Sequence, residues 1–427
     1  MSFQSGRPAP KRLARIVVLG DSRGNAVTGA EKQALSLASG IQRLSRTKKV
    51  PLELVRPLPE KELACLLFRG LALKYLLLSR SRPVGEIEST VRFIRNVEYL
   101  KGRKLPNLRM YGNDLVLLVN AGGENCVPMA AEKHPQNDRR QTKPFLDAGA
   151  SAGLAVALKD VFKDSMFLIN TLHPRFAEQK FDLIVSPEHD CVRYPKRENW
   201  IRTLGAINEA PLYHHRLKNT DLPKELPSPR VLVAIGGHSS RSYISWSRYT
   251  AKLNKFVDSI GRIARGGSVL VTTSRRTPRT LVRSIKKKLE ERIGADSLLF
   301  IDGSGEGSSQ DPATNDYHKF LATSSVAVVT SDSSNMISEA ISSPGIERVY
   351  VFELFPVRSE RLMQFVNSLV EKRYVNLLPG KDEELCNAYD KPNSPDELQR
   401  CIEVCKTRFE QRGIRIERTL HAGQYIL

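Results

Sequence analysis

The chain has 427 residues, 41% of them hydrophobic, with 66 Lys and Arg against 46 Asp and Glu and a formal net charge of +20. This length suggests two or three domains, and this apolar share fills real cores, which excludes a wholly disordered chain. The positive field favours anionic partners such as phosphates, nucleic acid or an acidic membrane face, although a generally basic soluble surface accounts for it equally well.

Six cysteines (Cys65, Cys126, Cys191, Cys386, Cys401 and Cys405) form no CxxC pair, and no histidine follows Cys401 and Cys405 at zinc-finger spacing. A reduced compartment and no bound metal are therefore expected. No secretory leader is expected either. Residues 1–15 are basic and lack acids, like a transit peptide, but a strand over 15–19 leaves little room for one. The longest apolar run, 63–78, is interrupted by Arg69 and Lys74. It reads as a buried domain helix, with a helix lying on a membrane as the alternative. Aromatic residues make up 7% of the chain and do not interleave with its basic runs, so a nucleic-acid partner is not expected.

The strand over 15–19 leads into Gly20-Asp21-Ser22-Arg23-Gly24-Asn25, then a helix over 29–44, a strand over 52–55 and another over 114–119. Residues 120–144 turn polar and basic and read as a surface insertion. A helix over 150–161 and buried strands over 167–169 and 182–185 follow. Residues 217–229 hold three prolines without periodicity and read as the domain linker. Beyond it the alternation is cleaner. Strands over 230–235, 268–273, 298–301, 326–329 and 349–352 are separated by helices, one with Leu281, Ile285, Leu289 and Ile293 on a single face. Thr277 is expected to cap that helix, with Pro278 at its first position. The segment 359–427 reads as mainly helical and able to strap back across the domains. Apolar strands alternating with helices in both halves imply parallel sheets covered on both faces. The expected fold is α/β: two Rossmann-like domains facing each other, residues 1–222 and 229–427, with a helical C-terminal segment.

In open α/β sheets ligands bind at the carboxyl ends of the strands, where the second half carries three polar turns. Gly236-Gly237-His238-Ser239 permits close backbone approach to a phosphate. Ser274-Arg275-Arg276-Thr277 brings two guanidinium groups suited to bidentate phosphate contacts. Thr330-Ser331-Asp332-Ser333 opens a short helix whose N-terminus favours an anion, with Glu339 about two turns along it. The plainer alternative is a capped turn with a solvated glutamate. No turn matches a Walker loop. In the first half, His189 is a candidate base oriented by Asp190 or Glu188, with a structural role in its loop as the alternative. Gly20, Arg23, Gly24 and Gln33 line the first strand-to-helix turn, a further anion or partner surface.

Several of these segments occur in one order: Gly20 to Gln33; His173-Pro174-Arg175; Pro187-x-His189-Asp190; Thr203-Leu204-Gly205-Ala206-Ile207-Asn208; Ile235-Gly236-Gly237; Ser274-Arg275-Arg276-Thr277-Pro278; Asn315-x-Tyr317; and Asp332-Ser333-x-x-Met336-x-Ser338-Glu339-Ala340. In that order the chain resembles the mitochondrial fission proteins of the plant "elongated mitochondria" family and their bacterial relatives. The resemblance implies a glycosyltransferase-B-like pair of Rossmann domains, with the nucleotide side in the second. On it, Gly236, Gly237, Ser239, Ser274, Arg275, Arg276, Thr277, Tyr317, Asp332, Ser333, Met336 and Glu339 would form the ligand site, with Glu339 at a ribose. The catalytic pair to test remains His189 with Asp190, from the strand-end reading above. The only cofactor it implies is a nucleotide or nucleotide sugar. It also implies peripheral attachment to an anionic membrane surface on the cytosolic face of the outer mitochondrial membrane, besides a cytoplasmic pool. There the chain would help recruit a dynamin-related GTPase; the alternative it leaves is a metal-independent glycosyltransferase. Where the family has Gly-Arg after a central strand, this chain has Ala148-Gly149-Ala150.

Overall fold

The computed structural model describes residues 11–19, 29–44, 50, 52–55, 114–121, 152, 155–156, 159, 162–174, 178–192, 197–222, 225–237, 246–274, 276–303, 316–355, 359–378 and 388–415. The apolar run 63–78, the insertion past Ala121, the Ala148-Gly149-Ala150 departure and the site candidates Gly20, Arg23, Gly24, Ser239 and Arg275 lie outside them. The chain forms two compact units, Met1–Thr203 with Leu398–Leu427, and Leu204–Glu397.

In the first unit, Lys11–Leu19 (β1), Leu52–Val55 (β2), Asp114–Ala121 (β3), Met166–Thr171 (β4), Leu183–Pro187 (β5) and Trp200–Thr203 (β6) form a sheet in which β1, β3, β4, β5 and β6 are successive neighbours. All its pairings are parallel. Ile16-Val17-Val18-Leu19 and Leu117-Leu118-Val119 are wholly buried, as continuous apolar runs must be when a parallel sheet is covered on both faces. Gly29–Leu44 (α1) buries Ala34, Leu37, Ala38 and Ile41, one helical stripe. The four-residue helix Glu188–Cys191 (α2) ends β5.

The second unit holds Arg230–Ile235 (β7), Ser268–Thr273 (β8), Leu298–Ile301 (β9), Val326–Thr330 (β10), Arg348–Phe352 (β11) and Asn376–Leu378 (β12), in the order β12-β11-β10-β7-β8-β9. These pairings are parallel too. The chain winds outward from β7 through β9, then returns to place β10 on the other side of β7. This order is doubly wound, and its switch point lies between β7 and β10. Alternate strand residues feed two cores. Val231, Val233, Ile235, Val269 and Val271 pack under Trp246–Ile263 (α4) and Arg279–Ile293 (α5). Leu232, Ala234, Leu270, Val329 and Val351 pack under Ala210–Leu217 (α3), Asp316–Thr323 (α6), Ser334–Ser342 (α7) and Glu360–Glu371 (α8).

Three expectations need correction. The units part at Thr203 and Leu204, not in the proline-bearing stretch 217–229. That stretch belongs to the second unit: Leu226 is part of its core, and Ser268 donates from Oγ to Pro227 O at 2.7 Å and from its amide to Pro229 O at 3.0 Å. Its polar composition reflects a surface connection pinned to the sheet. The C-terminal helices do not all belong to the second domain. Glu397–Gln411 (α9) buries Cys401, Cys405 and Phe409, and the Phe409 ring meets Phe167 of β4 edge-on at 4.7 Å. Ile414–Arg415 (β13) then pairs with Lys11–Arg12 of β1, so the tail returns to the first unit. Finally, Thr277 does not cap α5. Pro278 holds the cap position without a side-chain bond, because the Thr277 hydroxyl is committed elsewhere.

Candidate functional site

The polar turns after β7, β8 and β10 meet at the carboxyl edge of the second sheet, around its switch point. Sheet register brings Ile235 opposite Thr273, and Ala234 opposite Val329, so the three chains leave the sheet side by side. Hydrogen bonds then knit them together. Gly236 N donates to Thr330 Oγ1 at 2.7 Å and Gly237 N to Asp332 Oδ2 at 2.9 Å. Thr277 Oγ1 accepts from Ser274 N at 2.9 Å and donates to Gly236 O at 2.6 Å. Arg276 N donates to Ser274 Oγ at 3.2 Å. The corner after β9 joins in: Thr273 Oγ1 donates to Asp302 Oδ1 at 3.1 Å and accepts from Gly303 N at 3.0 Å.

The two glycines are required by this crowding. A Cβ on Gly236 would lie 2.0 Å from Asp332 Oδ2, and one on Gly237 would lie 2.2 Å from the Arg276 carbonyl carbon and 2.5 Å from Thr277 N. The sequence suggests close approach of a ligand here, but the approaching groups are the protein's own. Both glycine amides, read from sequence as open to a phosphate, are engaged internally. The Asp332 carboxylate occupies the position an external anion would take at Gly237 N. Burial pushes its carboxyl above the ordinary range, while the Thr330 hydroxyl, the Gly237 amide and the Arg276 charge favour its anion.

On α7, Ser333 is the N-cap, its side chain accepting from Met336 N at 3.4 Å. Met336 packs against the core beside the sheet. Glu339 is tied to α6, where Tyr317 OH donates to Glu339 Oε2 at 2.6 Å. Burial and the Glu339 charge hold the Tyr317 phenol well above its usual range, so it stays a neutral donor. One carboxylate oxygen of the expected ribose contact is therefore already satisfied. Among the described residues no cluster of three or more His, Cys, Asp or Glu side chains is arranged to hold a metal.

In the first unit the expected residues are not brought together in this way. His189 and Asp190 are neighbours on α2, but His189 Nε2 is 3.9 Å from Asp190 Oδ2, beyond hydrogen-bonding range. Gln33 is buried in α1 and does not present a surface. His173 is buried, with Nε2 3.5 Å from Glu178 Oε1 and its ring edge-on to Trp200 at 4.7 Å. Arg197 Nε holds the other Glu178 oxygen at 2.5 Å. Sequence reasoning missed the buried pair Asn120 and Asn170, registered opposite each other on β3 and β4, with Asn120 Nδ2 donating to Asn170 Oδ1 at 2.6 Å. It also gave no role to Thr273 or Thr330 in their corners. A polar residue that closes an apolar strand is the signal available for all four.

Comparison with known proteins adds the following. The family model described as Mitochondrial fission ELM1 matches residues 28–401. A curated relative, "Mitochondrial fission protein ELM1" of Arabidopsis thaliana, is 28% identical over 255 residues, 54% of this chain and 55% of the relative, so the chain spans about half of that protein's length. Among solved structures, Acinetobacter baumannii MurG is 9% identical with a TM-score of 0.40, covering 92% of this chain and 99% of that one. A glycosyltransferase from Rickettsia africae is 9% identical with a TM-score of 0.38, covering 93% and 99%. Overlays this loose carry no functional argument; the two parallel α/β sheets stand on their own strand order.

Proposed function

This chain belongs to the mitochondrial fission ELM1 family, and from that premise we propose that it acts as a peripheral adaptor in mitochondrial division, on the cytosolic face of the outer membrane, helping to recruit a dynamin-related GTPase. The observation that carries this reading is the family match over residues 28–401, which takes in sheet and helix elements of both units. The net charge of +20 supports attachment to an anionic membrane surface. No helix among the described residues is long and apolar enough to cross a membrane. Deleting the gene and imaging a tagged copy tests the reading. Lengthened mitochondria, a mitochondrial signal and co-precipitation of a dynamin-related GTPase are expected. Mitochondria of unchanged length with a diffuse signal would overturn it.

A second reading, a metal-independent glycosyltransferase using a nucleotide-sugar donor, is favoured by one observation: polar corners gathered at a doubly wound switch point, with Glu339 on the adjoining helix. The α7 N-terminus and Arg276 would stabilise a departing diphosphate, Glu339 would accept from ribose hydroxyls, and His189 is the base to test first. For this chemistry Asp332 would have to leave Gly237 N, since two anions cannot share that amide. Calorimetric titration with uridine, guanosine and adenosine diphosphate sugars tests it. Binding that Glu339→Ala abolishes supports the reading, and no heat with any donor removes it.

A further inference from the structure

The helical layers on the two faces of the second sheet differ sharply in charge. The sequences of α4 and α5 contain ten Lys and Arg against three Asp and Glu. Those of α3, α6, α7 and α8, on the other face, contain three against four. Packing explains only the apolar stripes of α4 and α5. Ion pairing absorbs part of the excess: Lys286 with Glu290 and Lys287 with Glu291, both at 3.8 Å, Arg292 with Asp258 at 3.6 Å, and Lys252 with Glu353 at 3.5 Å. Lys255, Arg265, Arg279 and Arg283 are exposed and make no ion pair among the described residues.

At the C-terminal ends of α4 and α5 two adjoining cavities of about 440 and 430 Å³ share Arg262 and Arg292 in their walls. Lys255, Arg265 and the Gly266 and Gly267 backbone complete them, with Asp258 as the carboxylate. The loop from α4 enters β8 here, so the cavities lie at the amino edge of the sheet, away from the polar corners. Basic residues at helix C-termini also offset the helix dipole, which accounts for Arg262 and Arg292. It does not account for a row running from Arg279 and Arg283 through Lys286 and Lys287, because the dipole's influence fades within one turn.

We propose that the α4–α5 face docks the second unit onto an anionic phospholipid bilayer, with lipid phosphates entering the arginine-lined cavities. This rests on the reading of the chain as a peripheral mitochondrial-surface protein and names the surface it uses. Helices about 20–30 Å long, side by side, present many charges to one plane at once, and a bilayer rewards that arrangement additively. Single-stranded nucleic acid would in addition call for aromatic platforms, and α5, which carries six of the ten basic residues, has no aromatic residue in its sequence.

The test is sedimentation of the full chain with vesicles of phosphatidylcholine alone or mixed with phosphatidylserine, at low and high salt. Binding is expected only to the mixed vesicles, and high salt should abolish it. The triple variant Lys255→Glu, Arg265→Glu, Arg283→Glu should lose on the order of a hundredfold or more in partitioning, and the milder Lys255→Gln, Arg265→Gln about tenfold. Reversing Arg216, Lys218 and Lys372, exposed and outside this face, changes the net charge equally and should cost under about threefold. Thermal melts establish that each variant is folded. Equal losses from both triples, or no binding by the unaltered chain, would overturn the proposal. So would a loss confined to RNA binding, or protection by free inorganic phosphate without vesicle binding. Vesicle binding through this face with unchanged mitochondria in the deletion strain would leave the docking surface standing and remove the fission reading.

Discussion

The carboxyl edges of the two sheets are built from similar residues, yet they are held differently. In the second unit, Gly236, Gly237, Ser274, Thr277, Thr330 and Asp332 bond across three neighbouring strand ends, so each corner fixes the next. Among the described residues of the first, Asn120 bonds Asn170 near the ends of β3 and β4, and His173, Glu178 and Arg197 form a second group, the latter two ahead of β5 and β6 at the amino edge. His189 Nε2 and Asp190 Oδ2 lie 3.9 Å apart, beyond hydrogen-bonding range. Polar residues at strand ends therefore do not by themselves identify a working site. What distinguishes the second edge is mutual support, which rigidifies it and also consumes the donors that a ligand would need.

The comparison breaks most readily at Gly237. Its added Cβ in Gly237→Ala meets backbone atoms of Arg276 and Thr277, which have no soft direction in which to yield. A loss of about 3 kcal/mol or more is expected in denaturant unfolding followed in the second unit. Asn170→Ala, in the first unit, leaves Asn120 Nδ2 and Leu172 O without their partner and should cost about 2 kcal/mol. Thr277→Val keeps the shape but strands Gly236 O, while Ser274 N keeps its 2.8 Å bond to Ile235 O, for about 1 kcal/mol. A double-mutant cycle sharpens the contrast. Thr277→Val should couple to Thr330→Val by more than about 0.5 kcal/mol, because both hold Gly236, whereas Thr277→Val and Asn170→Ala should simply add. Additivity in both pairs would mean that the corners of the second unit are not one network.

Much of the fold was legible because parallel sheets covered on both faces leave a blunt signature. The strands 52–55, 230–235, 268–273 and 298–301 follow directly from apolar runs between polar turns. The unit boundary was not legible. Residues 217–229 look like a linker, but the connection at Thr203 and Leu204 carries no proline or glycine run to mark it. That the C-terminal segment straps back could be read, but its pairing with β1 could not, since β13 is only two residues long. For the site, the meeting of three corners could be read from the doubly wound alternation. What fills Gly236 and Gly237 could not, because composition cannot tell an amide awaiting a ligand from one already bonded to Asp332.

Asp332 is where a small effect separates these cases. Burial raises its folded-state pKa above the unfolded value, the reverse of a carboxylate stabilised by a partner. The folded protein then binds more protons than the unfolded one between the two values, so the cost of the buried anion is present above the folded pKa and is relieved as pH falls through it. Asp332→Asn keeps an oxygen to accept from Gly237 N without the charge. It should match or slightly exceed the parent in stability at neutral pH, by under about 1 kcal/mol, with the gap closing as the solution is acidified. A large neutral-pH loss would show instead that the anion's bonds outweigh its burial. Asp332→Ala supplies the companion measurement, since it frees the Gly237 amide. If the aspartate stands in for an external anion, calorimetry should find pyrophosphate binding about tenfold tighter than in the parent, as expected when a buried donor regains a charged partner. If the corner is purely structural, the freed amide should recruit no anion, and the variant should only melt earlier.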